Sequence, residues 1–438
     1  MAHLSRRELH AIQANLGSQF SKISELLSDD SEQSFKRDRD AFTRGGVLSP
    51  ELLVTLLLYL VADAGRRGYH NLLDAFWDEA RDHGIPLPRA KPVSAPAFCK
   101  ARYKIQPALL RALLHQAADQ FDASHGREHR WNGMRVFAVD GSWMTLQRSS
   151  DLWIRFGGPS GGHNPQMLVC TLFDVLAEVP VDVSVGRCDS SERDHLMDLL
   201  PRMHRGDLLV LDRGYPSYEV ICELRRRGIH FVIRLPRSST FKEVTRFVQD
   251  GAIDEAIVLA ATARAPSGLP DSLTLRAVCH VREDESELYL LTDLGNRHIT
   301  AAKLDDLYHK RWQVEEFYKL EKGDYLGQGQ FHAKYAVGVE QEVFAFALLT
   351  AISRTLMASA ARTGDTPYDE LSQKSSLLAV CSYLSRLALA HHGPHALEFI
   401  AALLNRIRRT RIPKRPGRSF TRRSFRPRPR WGPNGKLG

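Results

Sequence analysis

The sequence predicts an α/β protein: a mixed sheet in the middle of the chain, flanked by helical regions on both sides. Three observations predict it. From Met134 to Arg237 short β-branched and aromatic runs alternate with helical segments, the pattern of strands joined through helices. Residues 1–125 carry helical periodicity and helix-start signals instead. The stretches from Glu340 to Arg362 and from Tyr368 to Leu404 are again helical, the first long and apolar. At 438 residues, with 43% apolar and 25% charged side chains, the chain has the composition of a globular protein large enough for several domains.

In the N-terminal region, Ser49-Pro50-Glu51 supplies a hydroxyl at the N-cap, proline at the first helical position and an acid in the first turn. The following ELLVTLLLYLVADA is apolar nearly all round and is expected to be buried. Pro86, Pro88 and Pro92 mark a loop, Ser94 opens SAPAFCKARYKI, and LLRALLHQAADQF continues as a further helix. Lys100, Arg102 and Lys104 give this region a basic edge of the kind that reads DNA.

From Met134 the run RVFAVDGSWMTL is a buried strand with Asp140 near its C-terminal end. The GGPSGG loop from Gly157 to Gly162 lacks the strand–GxGxxG–helix or G-K-[ST] context of a nucleotide loop and is read as a turn. QMLVCTLFDVL and VPVDVSVGRC are two more strands, and Ser190 or Ser191 opens the helix SERDHLMDLLPRM. DLLVLDRGY delivers Asp212 at a strand end, SYEVICELRRRG is a helix closed by Gly228, and HFVIRLPR is a strand. Ile253 to Thr292 is β-rich and is expected to form a small antiparallel insertion.

The stretch from Leu304 to Leu326 then reads as one amphipathic helix. Tyr308, Arg311, Glu315 and Lys322 fall within roughly 60° of one another at about 100° per residue. A phenol, two cations and a carboxylate share one stripe. Alone, such a stripe is most simply a solvated face with helical ion pairs.

Charge and cysteine narrow the function classes. From Asn405 to Gly438 there are thirteen Lys and Arg and no acid, whereas the other 404 residues carry 47 basic and 51 acidic groups. The net charge of +9 therefore belongs to a Pro- and Arg-rich tail suited to a polyanion, and expected to lack fixed structure without one. The six cysteines form no C-x-x-C pair, which argues against a zinc ribbon or a disulfide framework and fits a reducing compartment. There is no signal-peptide h-region, no internal repeat, and no apolar run of membrane-spanning length near Leu52–Val61 or Val343–Ile352.

Asp140, Asp212 and Glu315 are three acids with little local sense as ion pairs. Converging carboxylates are the hard-oxygen donors that two Mg²⁺ ions need for in-line phosphoryl displacement. No histidine–cysteine cluster, G-x-S-x-G elbow or P-loop offers a competing chemistry.

At these residues the chain resembles the DDE transposases of bacterial insertion sequences, in particular the IS-four type with its Tyr-x2-Arg-x3-Glu-x6-Lys signature. The signature stands as Tyr308, Arg311, Glu315 and Lys322; the first aspartate motif as Val139-Asp140-Gly141-Ser142; the second as Asp212-Arg213-Gly214-Tyr215. Val93–Arg102, the β insertion and Arg415–Arg423 resemble further stretches of that family. The resemblance implies a ribonuclease H-like catalytic core at 126–362 with a β insertion at about 253–292. It implies a helical N-terminal region at 1–125 for binding DNA ends, a helical region at 363–404 and a basic tail at 405–438. It implies that Asp140, Asp212 and Glu315 hold two Mg²⁺ ions, with Mn²⁺ as a substitute, and that Tyr308, Arg311 and Lys322 grip DNA phosphates. Arg234 and Arg237 are ordinary surface arginines on this reading, with DNA contact as the alternative. Some relatives stack a flipped base on an aromatic side chain, a role that Tyr289 or Trp312 could fill here. The partners implied are double-stranded DNA, as element ends and target, and a second copy of the chain in a synaptic complex, in the bacterial cytoplasm at the nucleoid and away from membranes. A related nuclease, a domesticated transposase without integration, and a non-catalytic DNA-binding regulator remain as alternatives.

Overall fold

The computed structural model describes residues 5–28, 35–37, 41–42, 46–63, 68–237, 241–261, 265–322, 331–364, 366–390 and 395–412. Its centre is one sheet of eight strands: β1 (Val136–Thr145), β2 (Gln166–Asp174), β3 (Val179–Arg187), β4 (Leu208–Leu211), β5 (His230–Arg234), β6 (Asp254–Ala260), β7 (Ser272–Val281) and β8 (Glu287–Thr292). The spatial order is β3-β2-β1-β4-β5-β8-β7-β6. β1, β2 and β3 form an antiparallel meander, and β4 and β5 add parallel to β1. This five-strand arrangement is a ribonuclease H-like core.

Among the described residues five α-helices precede the sheet: α1 (Arg6–Ser28), α2 (Pro50–Ala62), α3 (Tyr69–Asp82), α4 (Ala95–Arg102) and α5 (Pro107–His125). The expected caps hold, since Ser49 and Ser94 accept from the amides of Leu52 and Ala97. Between strands lie α6 (Ser150–Phe156), α7 (Glu192–Leu199), α8 (Tyr218–Arg227) and α9 (Lys242–Gln249). α6 is not anticipated by the sequence pattern; Ser149 caps its start and Gly157 closes it at φ 72°. Gly228 closes α8 in the left-handed conformation, φ 68°, where a side chain would be strained. After β8 come α10 (Ala301–Lys310), α11 (Trp312–Leu320), α12 (Ala336–Gly364), α13 (Gln373–Cys381), α14 (Leu384–Ala390) and α15 (Ala396–Arg408).

Two expectations are corrected and one is sharpened. The β-rich stretch is the expected antiparallel insertion, and because β8 pairs antiparallel with β5, its strands β6–β8 also extend the main sheet. The backbone groups on the free edge of β5 demand partners, and a strand returning beside it supplies them. The single helix from Leu304 is broken at Arg311 into α10 and α11, and its last residues, 323–326, lie outside the described part. The region after Asn405 does not begin as a loose tail. Leu403, Leu404 and Ile407 are buried, Arg408 donates to the Ala360 carbonyl at 3.2 Å, and the Ile412 amide donates to the Glu370 carbonyl at 2.8 Å. Burial of that apolar stripe keeps the helix going to Arg408. The rest of the tail, 413–438, lies outside the described residues.

α12 is the hub of the helical layers. It is long and apolar enough to cross a membrane by length and composition, but 94% of its apolar window is buried against protein. It packs on α2, α5, α15 and the edge strand β3. One buried ion pair pins α4 to it. Arg102, fully buried, reaches Glu342 at 3.0 Å, the Gly338 carbonyl at 3.0 Å, Gln341 at 3.2 Å and the Tyr69 hydroxyl at 2.8 Å. Glu342 also accepts from the amides of His332 and Ala333. Arg102 is thus withdrawn from the basic edge to which its sequence position assigns it, whereas Lys100 and Lys104 are exposed.

Removing one partner of a buried pair strands the other charge. Arg102→Leu is therefore expected to destabilise the protein by about 3–5 kcal/mol in denaturant melts, and adding Glu342→Leu should recover much of that loss. Equal stability of wild type and Arg102→Leu would mean the pair is not fully desolvated.

Candidate active site

The site opens where the sheet splits. β1 and β4 run parallel only as far as Ala138 and Val210, while β1 continues against β2 to Thr145. Asp140 is the second residue past the split, so it lies mid-strand and not near the strand end as the sequence suggests. Asp212 immediately follows β4, as expected. Carboxylates on two strands that have just parted can face a common cleft.

Glu315 arrives from α11, and the residues around it explain how it is aimed. Arg311, at the break between the helices, is only 8% exposed. Its guanidinium lies 2.7 Å from Glu315 and 3.5 Å from Asp140, with Asp212 also within electrostatic reach. Trp312 Nε1 donates to the same Glu315 oxygen. Three residues on from Glu315, the Tyr318 hydroxyl is buried under the sheet, 2.9 Å from the carbonyls of Asp140 and Val169 and 3.0 Å from Thr171 Oγ1. Tyr318 thereby docks α11 on β1 and β2 beside Asp140. Its spacing from Glu315 is visible in the sequence, but its partners are not.

Tyr308 donates to Asp212 Oδ1 at 3.0 Å, and the Arg213 amide, in the Asp212-Arg213-Gly214-Tyr215 turn, donates to the same oxygen at 2.7 Å. The Arg311 guanidinium carbon stands 5.8 Å from the Tyr308 ring centroid. Lys322 follows α11 in a half-buried turn, where burial lowers its pKa while Glu321 and Asp140 pull it back up. Glu321 is 1% exposed, and burial pushes its carboxyl up to about 8. Glu316 is exposed and pairs with Lys319.

All six sequence-predicted site residues therefore gather around one cleft, although Tyr308 and Arg311 face the carboxylates rather than open solvent. Arg234, read from sequence as an ordinary surface residue, reaches the Tyr308 hydroxyl from the end of β5. Arg237 pairs with Glu287 at 2.8 Å on the surface. Tyr289 is 7% exposed and donates to Glu287, so it has no free ring face. Trp312 is half-buried, with Lys319 Nζ 5.8 Å from its ring centroid. Trp143, three residues past Asp140, is 51% exposed; no local pattern singles it out.

Burial pushes Asp140 up to about 6, against the opposing charge of Arg311. Its poorly solvated carboxylate, with Asp212 and Glu315 nearby, is a donor set suited to a hard divalent cation. Among the described residues no group of three His, Cys, Asp or Glu side chains is gathered tightly enough to hold an ion; Arg311 takes the neutralising position between them.

A family model described as "Transposase DDE domain" matches residues 131–352, half of the chain. No curated protein matches. Among solved structures the chain is similar to a piggyBac transposase in a synaptic complex with hairpin DNA, at a TM-score of 0.47 and 10% identity over 93% of this chain and 84% of that one.

The raised Asp140 value sets a pH dependence. Between about pH 4 and 6 the folded chain keeps a proton that the unfolded chain has released, so this group's contribution to stability falls as pH rises through that window. Asp140→Asn does not titrate. In chelator-containing buffer the variant is expected to be more stable than wild type above about pH 6, by up to about 3 kcal/mol, with the difference vanishing toward about pH 3.5. Parallel stability curves across that range would reject the assignment.

Proposed function

The chain belongs to the DDE transposase family, and on that basis we propose that it cuts the ends of a mobile DNA element and joins the freed 3′ ends to target DNA. The observation that carries the reading is the meeting of Asp140, Asp212 and Glu315, from β1, the end of β4 and α11, around the Arg311 guanidinium. A protein that only binds DNA has no use for three carboxylates in a cleft meant for a polyanion.

In this reading Asp140, Asp212 and Glu315 hold divalent cations, Mg²⁺ with Mn²⁺ as a substitute. When bound, a pair of such ions activates the attacking oxygen and stabilises the leaving one. The chain's own residues do the rest. Tyr308 orients Asp212 through its hydroxyl, and Trp312 orients Glu315. Arg311 neutralises the carboxylates of the metal-free chain and is the nearest cation to offer a DNA phosphate once they are otherwise neutralised. Lys322 supplies a second cation beside Asp140.

The finer placement in the IS-four group rests on the complete Tyr308, Arg311, Glu315 and Lys322 signature and on the strands β6–β8 between Asp212 and Glu315. DNA-end binding by the N-terminal region is supported by a groove of about 940 Å³ lined by Arg89, Lys91, Lys100 and Lys104. Pairing of two element ends calls for two copies of the chain on DNA.

An end-cleavage and strand-transfer assay with Mg²⁺ tests the reading. Asp140→Ala, Asp212→Ala and Glu315→Ala are each expected to lower both steps by about 10³-fold or more, the loss of roughly 4 kcal/mol of transition-state stabilisation. Activity that survives all three substitutions would sink the mechanism, and cleavage without joining would favour a nuclease. Deleting residues 413–438, with nine Lys and Arg, is expected to weaken DNA binding and flatten its salt dependence; an unchanged slope would exclude phosphate contact by the tail.

A further inference from the structure

We propose that Glu192 is a fourth carboxylate of this active site, placed beside Asp140 to share in binding the divalent cation. The proposal rests on the transposase reading and adds a residue outside the three acids on which that reading is built.

Glu192 is the first residue of α7, and Ser191 caps that helix by accepting from the Arg193 amide. The helix start brings the Glu192 carboxyl onto the backbone of Gly141, the neighbour of Asp140. A Cβ at position 141 would meet Glu192 Oε1 at 2.6 Å and its carboxyl carbon at 2.8 Å. Any side chain there would push the carboxylate away. Gly141 is not among the positive-φ residues, so glycine provides space at this position, not backbone freedom.

The other acids of the site have partners. Asp212 accepts from Tyr308 and the Arg213 amide, and Glu315 accepts from Arg311 and Trp312. Among the described residues Glu192 has no hydrogen-bond or ion-pair partner. It stands within electrostatic reach of Asp140 and of Tyr215. Tyr215 is an independent sign that something is meant to bind here. It is 1% exposed, and its hydroxyl has no partner among the described residues. A buried hydroxyl without a partner is costly in a finished structure.

A carboxylate at a helix start also favours the helix dipole, and that alone would account for an acid at position 192. Asp194, exposed in the same first turn, serves as the control for it. The dipole does not account for the close approach to Gly141.

The test is Mn²⁺ titration of the full chain without DNA, followed by the electron paramagnetic resonance signal of free Mn²⁺, with thermal melts to verify folding. Glu192→Gln is expected to weaken Mn²⁺ binding by about 10-fold with an unchanged melting temperature. Gly141→Ala should weaken it likewise by displacing the carboxylate, and Asp194→Asn should leave it unchanged. Wild-type Mn²⁺ affinity in Glu192→Gln, with binding lost in Asp140→Asn, would overturn the role of Glu192 alone. Intact binding in Asp140→Asn would overturn the transposase metal site, and Glu192 with it.

Discussion

Three carboxylates cannot share a half-buried cleft without a cation among them. Here that cation is Arg311, and the local architecture follows from placing it. The guanidinium must reach Asp140 on β1 and Glu315 on α11 together. Arg311 sits at the junction of α10 and α11 with a helical backbone, φ −50° and ψ −29°, and pairs with Glu315 one turn on. Tyr318 holds α11 on the sheet by donating its hydroxyl to the strand backbone. Removing this electrostatic balance would leave mutually repelling acids in a poorly solvated place.

The sheet provides the cleft because two of its strands part company. β4 ends at Leu211 while β1 runs on to Thr145 with β2, so Asp140 and Asp212 face the gap from either side. Behind the sheet, α12 fills the space between β3 and the N-terminal helices with a largely apolar surface that also carries buried polar residues such as Gln341, Glu342 and Arg354. Apolar burial is non-directional, and the Arg102–Glu342 pair adds direction by locking α4 to one place along α12. The rigid platform under the site is therefore set by packing, and its register by one buried charge pair.

Much of the sheet is legible in the sequence. Runs such as Val136–Val139 and Leu208–Leu211 are short and apolar, and each is followed by an aspartate. The helix caps at Ser49, Ser94 and Gly228 are legible because capping is decided within a few residues. What is not legible depends on partners far along the chain. Arg102 reads as part of a basic edge, since its partner Glu342 lies 240 residues away. Tyr308 reads as a free phenol until Asp212 meets it, and Arg234 as a surface arginine until it meets Tyr308. The β6–β8 stretch reads as strands but not as an extension of the main sheet, because local pattern says that a strand forms and not which edge it joins.

Unaided, the chain's order of residues settles the succession of elements and the residue types of the site: short apolar runs each followed by an aspartate, and a stripe holding Tyr308, Arg311, Glu315 and Lys322. These are properties of local periodicity and spacing, so a single chain read in order reveals them. The direction in which those side chains face is settled by folding alone. Folding turns Arg311 and Tyr308 toward the carboxylates, buries Arg102, and lays Glu192 against Gly141. The charge balance of a cleft and the space left by a missing Cβ arise between elements brought together from distant parts of the chain, and no local pattern encodes them.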